Sequence, residues 1–228
     1  MFVKSPRWGM VKSRLGAVIG DEAALGLYRC FVDDMIRTLS QGNYMFTIFY
    51  YPSRSRAAIA RWLGHDREIF PQHGSDLGQR MKNAFKDILS HGNTSAPAVL
   101  IGSDMPDLPA YAIDEALSSL ADHDAVLGPS PDGGYYLIGF KPDTFLPEVF
   151  EGIPWSTPAV FEQTLAVFER FNYRVYIMQE RQDIDTFEDL NAFYSNNLAS
   201  SLAPATTTYI RSHIPRISRN VLHEHKTR

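Results

Sequence analysis

Short strand-like runs alternate with helix-like segments along this chain, and that alternation limits the possible folds more than any other feature. Residues 98–102 form a continuous apolar run, which is typical of a strand covered on both faces. The other predicted strands span residues 46–51, 125–127, 136–140 and 173–178. Because strands that alternate with helices need crossover connections, the sequence predicts a three-layer α/β/α fold around a mostly parallel mixed sheet.

The segments between these strands carry apolar residues at helical spacing. Such stripes predict helices that begin near Asp21, cover residues 77–89 and follow Pro109. Thr157, which precedes a proline, and Thr186 are residues of the N-cap type, so each predicts the start of a further helix.

The chain shows no internal repeat and no clear linker before its last thirty residues or so. We therefore predict one domain over residues 1–200 and a basic extension over residues 201–228. The extension is interpreted by default as a flexible tail. The alternatives are a lid and an arm on a partner subunit, which would make the protein a homo-oligomer.

Composition excludes several classes of protein. With 44% hydrophobic residues among 228, the chain is too apolar to be disordered. The net charge of −4 gives no reason to expect a nucleic-acid partner. No apolar run approaches the ~20 residues of a membrane span. Cys30 is the single cysteine, so no internal disulfide can form, which favours a cytoplasmic protein.

A basic loop follows the first short strand, and it is the first candidate for chemistry. Residues 4–15 contain four cations and one glycine in a protein that is otherwise acidic. Lysine and arginine side chains that converge beside backbone N–H groups suit a diphosphate or triphosphate. A solvated basic loop is the alternative, and the spacing is not that of a Walker loop.

Asp104 follows the apolar run at residues 98–102 and is the second candidate. A carboxylate in that position is costly unless it is paired or binds a metal, and Mg²⁺ or Mn²⁺ accepts one or two carboxylates together with substrate phosphates. A strand-end cap is the alternative for Asp104. For Asp107, close to the predicted helix start at Pro109, capping is the favoured interpretation.

Three further residues have both a functional and a structural interpretation. Asp132 precedes two glycines that permit close backbone approach to a ligand, but an ordinary turn explains them equally well. Asp185 is either a second metal ligand or a favourable charge at a helix N-terminus. Arg80 lies one turn into a predicted helix and could border an anionic substrate, while Asp76 before it could simply cap that helix.

Taken in order, six motifs resemble a bacterial transferase family associated with radical-SAM/selenodomain proteins. They lie at residues 4–15, 74–81, 102–108, 128–139, 155–157 and 183–186, and the resemblance covers about residues 2–195. Members of that family are described as nucleotide-diphospho-sugar transferases with the GT-A fold. The chain is more distantly similar to the molybdenum-cofactor and phospholactate nucleotidyltransferases.

The resemblance implies a function and a set of site residues. It implies a metal-dependent transferase that moves a glycosyl group from a nucleotide-diphospho-sugar to an acceptor that the sequence does not identify. Asp104 would bind Mg²⁺ or Mn²⁺, with Asp185 as a second ligand, and Asp132, Asp185 and Arg80 would serve catalysis. The expected nucleotide-binding residues are Lys4, Pro6, Gly9, Lys12, Ser13, Arg14 and Ser103.

Two other functions remain open at this point. The first is a nucleotidyltransferase that joins a nucleoside triphosphate to a phosphorylated acceptor, since the same loop and metal would serve it. The second is a protein that binds nucleotides without turning them over.

Overall fold

A computed structural model describes residues 1–91, 96–215 and 217, and the chain divides into two compact units. The first unit contains Met1–Val3, Met45–Gly102 and Tyr111–Arg181. The second contains Lys4–Tyr44, Ser103–Ala110 and the chain from Gln182 onward. The chain passes several times between the units. The single domain predicted over residues 1–200 and the extension at 201–228 stay predictions.

The strands of the structure form two sheets. The three-stranded sheet has the order β1-β2-β3, and the four-stranded sheet has the order β4-β6-β5-β7. Strands β2 and β3 are parallel, as are β5 and β7, whereas β6 is antiparallel to both β4 and β5. The strands are β1 (Phe2–Lys4), β2 (Ile48–Tyr51), β3 (Ile69–Pro71), β4 (Ala98–Ile101), β5 (Ala125–Pro129), β6 (Tyr135–Phe140) and β7 (Val175–Ile177).

Eight α-helices connect or follow these strands in the part of the chain that the structure describes. They are α1 (Ser13–Ile19), α2 (Asp21–Leu39), α3 (Arg56–Leu63), α4 (Leu77–His91), α5 (Ala110–Ser119), α6 (Val160–Arg170), α7 (Phe187–Asn196) and α8 (Pro204–His213).

Aromatic side chains form the core of the first unit. Phe85 of α4 meets Phe140 of β6 edge to face, with ring centroids 5.1 Å apart, and it also stacks on Phe150. Phe140 packs in turn against Phe168 of α6. Burial of several such rings removes a large apolar area from water, which is the main force holding sheet and helices together.

The second unit is held together by helix packing and by one buried carboxylate. Helices α1, α2 and α8 pack against one another in the pairs α1 with α2 and α2 with α8. Asp34 of α2 accepts hydrogen bonds from the backbone N–H groups of Ala205 and Thr206, at 3.0 and 2.8 Å. These are N–H groups of the first turn of α8, which has no partners for them within the helix. Asp34 therefore fixes the start of α8 against α2.

The mixed α/β fold class is confirmed, and most predicted elements are present. Strand β3 and helices α1 and α3 were missed by the sequence analysis, because all three are short. Residues 13–15, which were assigned to the basic loop, begin α1. Strand β4 is an edge strand of its sheet, and residues 98–100 are only half-buried, so the expectation of full cover on both faces was wrong. An apolar run by itself cannot distinguish an edge strand from a central one.

The predicted helix starts and the predicted tail agree only in part with the structure. Helix α7 begins after Thr186 with the expected cap, but α6 begins at Val160 rather than directly after Thr157. Pro204–His213 form α8, although the sequence favoured a flexible tail there. The basic residues beyond position 217 lie outside the described residues. None of the helices in residues 1–91, 96–215 and 217 has both the length and the apolar character that crossing a bilayer requires.

Gly133 occupies a position that no other residue should tolerate. Its φ is +84°, and an added Cβ would come within 2.1 Å of the Pro158 carbonyl oxygen. The Gly133 carbonyl oxygen also accepts a hydrogen bond from Phe161 N at 2.8 Å, so the backbone cannot easily move away. Gly133 thus has a structural function in joining this turn to the start of α6.

We expect Gly133→Ala to destabilise the protein by about 2 kcal/mol or more, because positive φ and a backbone clash act together. Gly152→Ala is the matched control, since Gly152 has a φ of +70° but nothing within 4 Å of an added Cβ. Gly152→Ala should lower the free energy of unfolding by about 1 kcal/mol. Urea unfolding of both variants measures the difference, and equal losses would contradict the assigned clash.

Candidate functional site

A buried lysine between two carboxylates is the centre of the candidate site. Lys12 Nζ lies 2.8 Å from Asp104 Oδ1 and 2.7 Å from Asp185 Oδ1. The Lys12 side chain is 4% exposed, whereas those of Asp104 and Asp185 are 36% and 46% exposed. We call these three residues the lysine–carboxylate cluster. All of them belong to the second unit, although 173 residues separate Lys12 from Asp185 in sequence.

Each member of the cluster is placed by a different backbone feature. Lys12 is the residue before α1 and has a left-handed conformation (φ 49°, ψ 45°), which is uncommon for a non-glycine residue. Asp104 lies three residues beyond the end of β4, and its carbonyl oxygen accepts a hydrogen bond from Ile184 N at 3.1 Å. That bond joins the Asp104 segment directly to the segment that carries Asp185.

Helix α7 fixes the position of Asp185. The Asp189 carboxylate accepts hydrogen bonds from the backbone N–H groups of Asp185 and Thr186, at 3.1 and 2.7 Å. The Thr186 hydroxyl accepts a hydrogen bond from Asp189 N in return, which completes a capping box. Asp189 therefore caps the helix, and the Asp185 side chain remains available to Lys12.

The charges of the cluster shift the protonation of its members. Burial of the Lys12 ammonium disfavours the charged form, but Asp104 and Asp185 outweigh that effect, so the pKa of Lys12 is raised. Partial burial of the Asp185 carboxyl opposes ionisation, yet Lys12, and then Arg14 and Lys4, hold its pKa below the usual value. Three cations of the basic segment thus act electrostatically on one carboxylate, and Lys12 is the one that contacts it directly.

A buried hydrogen-bond network joins two of the segments that carry the cluster. Tyr28 of α2 accepts a hydrogen bond from Lys4 N at 2.8 Å, and its hydroxyl lies 3.1 Å from Ser103 Oγ. Burial, and to a lesser extent the charge of Asp104, raises the pKa of Tyr28, so this hydroxyl stays protonated at neutral pH. Tyr28 links the start of the basic loop to the residue before Asp104.

The other predicted nucleotide-binding residues lie at several places in the fold. Lys4 ends β1, Pro6 and Gly9 lie between β1 and α1, Ser13 and Arg14 begin α1, and Ser103 follows β4. Lys4, Ser13 and Arg14 are exposed, Pro6 is half-buried, and Gly9 has a φ of +65°. Ser103 is buried, at 5% exposure, and contacts Tyr28, so its hydroxyl supports the loop. The structure thus brings Lys12, Asp104 and Asp185 together within the second unit, and Arg14 and Lys4 act electrostatically on Asp185. The nucleotide-binding assignments stay predictions.

Arg80 and Asp132 belong to the first unit and have local partners there. The Arg80 guanidinium lies over the ring of Tyr51, 4.6 Å from its centroid. Asp132 Oδ1 accepts hydrogen bonds from Ser130 Oγ at 2.5 Å and Gly134 N at 3.0 Å, so this carboxylate holds the turn before β6. Their predicted catalytic functions stay predictions.

Two other aspartates have the structural function of hydrogen-bond acceptors. Asp76 Oδ1 accepts a hydrogen bond from Gln79 N at 2.8 Å in the first turn of α4, which agrees with the capping alternative. Asp107 Oδ2 accepts a hydrogen bond from Asn197 Nδ2 at 2.9 Å, so it contacts a side chain at the end of α7.

Asp104 and Asp185 carry carboxylate oxygens, which are the type of ligand that Mg²⁺ binds in proteins. Among residues 1–91, 96–215 and 217, no three His, Cys, Asp or Glu side chains are grouped as metal ligands. Mg²⁺ needs fewer, because it usually keeps several water molecules and binds one or two carboxylates with substrate phosphates. The Lys12 ammonium already sits as a positive charge between the two carboxylates. The residues therefore fit Mg²⁺ or Mn²⁺, provided that Lys12 moves.

Solved structures resemble this fold. A protein from Desulfovibrio desulfuricans G20 described as a "putative nucleotide-diphospho-sugar transferase" is 39% identical, with a TM-score of 0.90 over 96% of this chain and 95% of that one. A cytidylyltransferase from Leptospira borgpetersenii serovar Hardjo-bovis is 14% identical, with a TM-score of 0.50 over 83% of each chain. A 4-diphosphocytidyl-2C-methyl-D-erythritol synthase is 10% identical, with a TM-score of 0.51 over 76% of this chain and 88% of that one.

These likenesses define the class of the protein by its fold, which is that of the nucleotidyltransferase and GT-A-like proteins. The chain belongs to the family DUF2064, described as uncharacterized protein conserved in bacteria, whose model matches residues 35–157. The resemblance found in the sequence motifs is confirmed by this family and by the 39% identical structure. A search among curated proteins gave no match.

Sequence reasoning missed two residues that complete the surroundings of the predicted residues. Tyr28 was assigned only to the apolar face of α2, because nothing in a sequence distinguishes a tyrosine whose hydroxyl is used from one that packs. Tyr51, the last residue of β2, was read as part of a strand, although its ring lies under Arg80. Ligands of α/β sheets bind at the carboxyl ends of strands, so the position of Tyr51 at the end of β2 could have marked it as a candidate.

We expect Asp185→Asn to lower the free energy of unfolding at pH 7 by at most about 1 kcal/mol, because Asp185 is 46% exposed and water screens its pair with Lys12. A carboxyl whose folded-state pKa is lowered stabilises the fold above the unfolded-state value of about 3.9, and the contribution is lost as pH falls through the folded value. The difference from the wild type should therefore shrink below about pH 3.9.

Urea unfolding between pH 3 and pH 7 measures this effect, with the exposed Asp122→Asn as the control. A difference between Asp185→Asn and wild type that grows towards acid pH would contradict the ion pair.

Proposed function

We propose that this chain is a transferase that binds a nucleotide-diphospho-sugar and transfers its glycosyl group to an acceptor. The observation that carries the proposal is the lysine–carboxylate cluster, in which Lys12 lies between Asp104 and Asp185. Arg14 and Lys4 also act electrostatically on Asp185. A nucleoside diphosphate is the leaving group of such a reaction, and both cations and a divalent metal suit its charge. The 39% identical structure supports the same activity.

The basic loop would hold the diphosphate. Arg14 and Lys4 are exposed and act electrostatically on Asp185, so they are free to contact phosphate oxygens at the same site. Lys12 would leave one or both carboxylates and bind phosphate as a point charge. Fixed cations placed where negative charge develops lower the barrier to phosphate departure, and they need no rearrangement of water during the reaction.

Asp104 and Asp185 would hold Mg²⁺ or Mn²⁺. When bound, the metal would supply charge neutralisation on the leaving diphosphate. The carboxylates are partly exposed, which leaves their second oxygens accessible to solvent and ligands. We assign the proton acceptor for the acceptor hydroxyl to Asp132 or Asp185 and a contact with anionic substrate to Arg80. Asp132 Oδ1 is already occupied by two hydrogen bonds, so Oδ2 is the oxygen assigned to this function.

We expect Lys12→Met to bind Mn²⁺ more tightly than the wild type in the absence of nucleotide, by about tenfold. The substitution removes a competing cation from between two carboxylates that then have no counter-ion at that position. Titration of Mn²⁺ followed by electron paramagnetic resonance measures free and bound metal directly. The same variant should bind nucleotide more weakly, because it lacks a phosphate contact.

Asp104→Asn is the companion variant for this test. It should lose Mn²⁺ binding and metal-dependent nucleotide binding, while the exposed Asp122→Asn should lose neither. Unchanged metal-dependent nucleotide binding in Asp104→Asn would contradict the assignment of Asp104 as a metal ligand.

Nucleotidyl transfer is the second candidate function, because the same loop and metal would serve a nucleoside triphosphate with pyrophosphate as the leaving group. The likeness in fold to a cytidylyltransferase supports this second candidate. A thermal-shift panel with Mn²⁺ separates the two, since a ligand that binds the folded state raises the apparent stability. We expect UDP- or GDP-sugars to raise Tm by several degrees at saturating concentration.

Stabilisation by CTP or GTP but by no nucleotide-sugar would instead favour nucleotidyl transfer. Assays for product from any donor that stabilises the protein then distinguish a transferase from a protein that binds without turnover. Mn²⁺ alone and nucleotide alone are the controls of the panel.

A further inference from the structure

Two large apolar side chains project from the basic loop into solvent. Trp8 is 62% exposed and Met10 is 71% exposed, although Val11 beside them is buried at 4%. Among residues 1–91, 96–215 and 217, no aromatic ring stacks against Trp8. Exposure of a tryptophan to this extent leaves a large flat apolar face in water, in a loop whose other features suit phosphate.

The backbone presents these two side chains in a defined turn. Met10 N donates a hydrogen bond to the Arg7 carbonyl oxygen at 3.1 Å, and Gly9 between Trp8 and Met10 has a φ of +65°. A Cβ on Gly9 would lie 3.4 Å from Asp21 Oδ2, so the tip of the turn lies close to the first residue of α2. Trp8 is therefore carried by a hydrogen-bonded turn of the backbone.

Trp8 also lies within reach of the phosphate-binding cations. Trp8 lies four positions before Lys12 in the sequence, and that length of chain spans at most about 14 Å. A nucleotide carries a flat apolar base at one end and phosphates at the other, so it can contact both parts of one short loop. Stacking on an aromatic side chain is favourable for every base, because each has a π-face.

We propose that Trp8, with Met10 beside it, forms the stacking surface for the nucleobase of the bound nucleotide. The inference rests on the proposed function, since it assigns the base of the nucleotide whose phosphates Lys12 and Arg14 hold. Stacking gives affinity without a hydrogen-bond code, so this surface binds purines and pyrimidines alike. Any preference for one base over another must then come from other residues of the protein.

Calorimetric titrations of the full chain with Mg²⁺ test the proposal, using CTP, GTP and inorganic tripolyphosphate as ligands. Trp8→Ala should bind both nucleotides about five- to one-hundred-fold more weakly, as expected for the loss of one base stack. Trp8→Phe should retain most of the affinity. Neither substitution should change the affinity for tripolyphosphate, which has no base. Val18→Ala is the control, because Val18 is also exposed, at 51%, but lies on α1.

Tryptophan fluorescence gives an independent readout. The chain has three tryptophans, and a base stacked on Trp8 should quench part of the emission in the wild type but not in Trp8→Phe. Tripolyphosphate should produce little quenching.

The outcomes distinguish this inference from the proposed function. Equal nucleotide affinity in Trp8→Ala and wild type overturns the stacking surface and leaves the phosphate site standing. A wild type that binds neither tripolyphosphate nor any nucleotide overturns both. A loss in Trp8→Ala that extends equally to tripolyphosphate overturns the stacking assignment, because the substitution would then act on the loop as a whole.

Discussion

A buried ammonium group needs negative charge close to it, and this requirement organises the second unit of the protein. Lys12 is almost fully buried, so leaving it without partners would cost several kcal/mol. Asp104 and Asp185 meet that requirement from two distant parts of the sequence, and the backbone bond from Ile184 to Asp104 keeps those parts together. The segment after β1, the segment after β4 and the start of α7 therefore meet at one charge.

The same arrangement explains how a stable protein can keep a reactive site. Two carboxylates side by side repel each other, and a cation between them removes that repulsion when no ligand is bound. Because both carboxylates remain partly exposed, a ligand can exchange with the lysine without unfolding of the surroundings. Tyr28 and the capping box at Thr186 hold the backbone on either side of the cluster.

Local patterns predicted those parts of the fold whose cause is local. Thr186 caps α7 because its hydroxyl and Asp189 lie three residues apart, and that spacing is visible in the sequence. Asp104 could be singled out because a carboxylate after an apolar run needs a partner. The edge position of β4 and the helix at Pro204–His213 could not be predicted in this way. They depend on which strands pair and on the contact of Asp34 with the first turn of α8.

The sequence by itself determined the α/β class, the family and the residues that carry charge in the basic loop, since periodicity and motif order are properties of the chain. Only the tertiary structure decided that Lys12, Asp104 and Asp185 form one cluster, because 173 residues separate the first from the last. It also decided which neighbouring N–H groups Asp76 and Asp132 bind. A carboxylate's function depends on the groups that folding brings within hydrogen-bond distance, and no local pattern contains them.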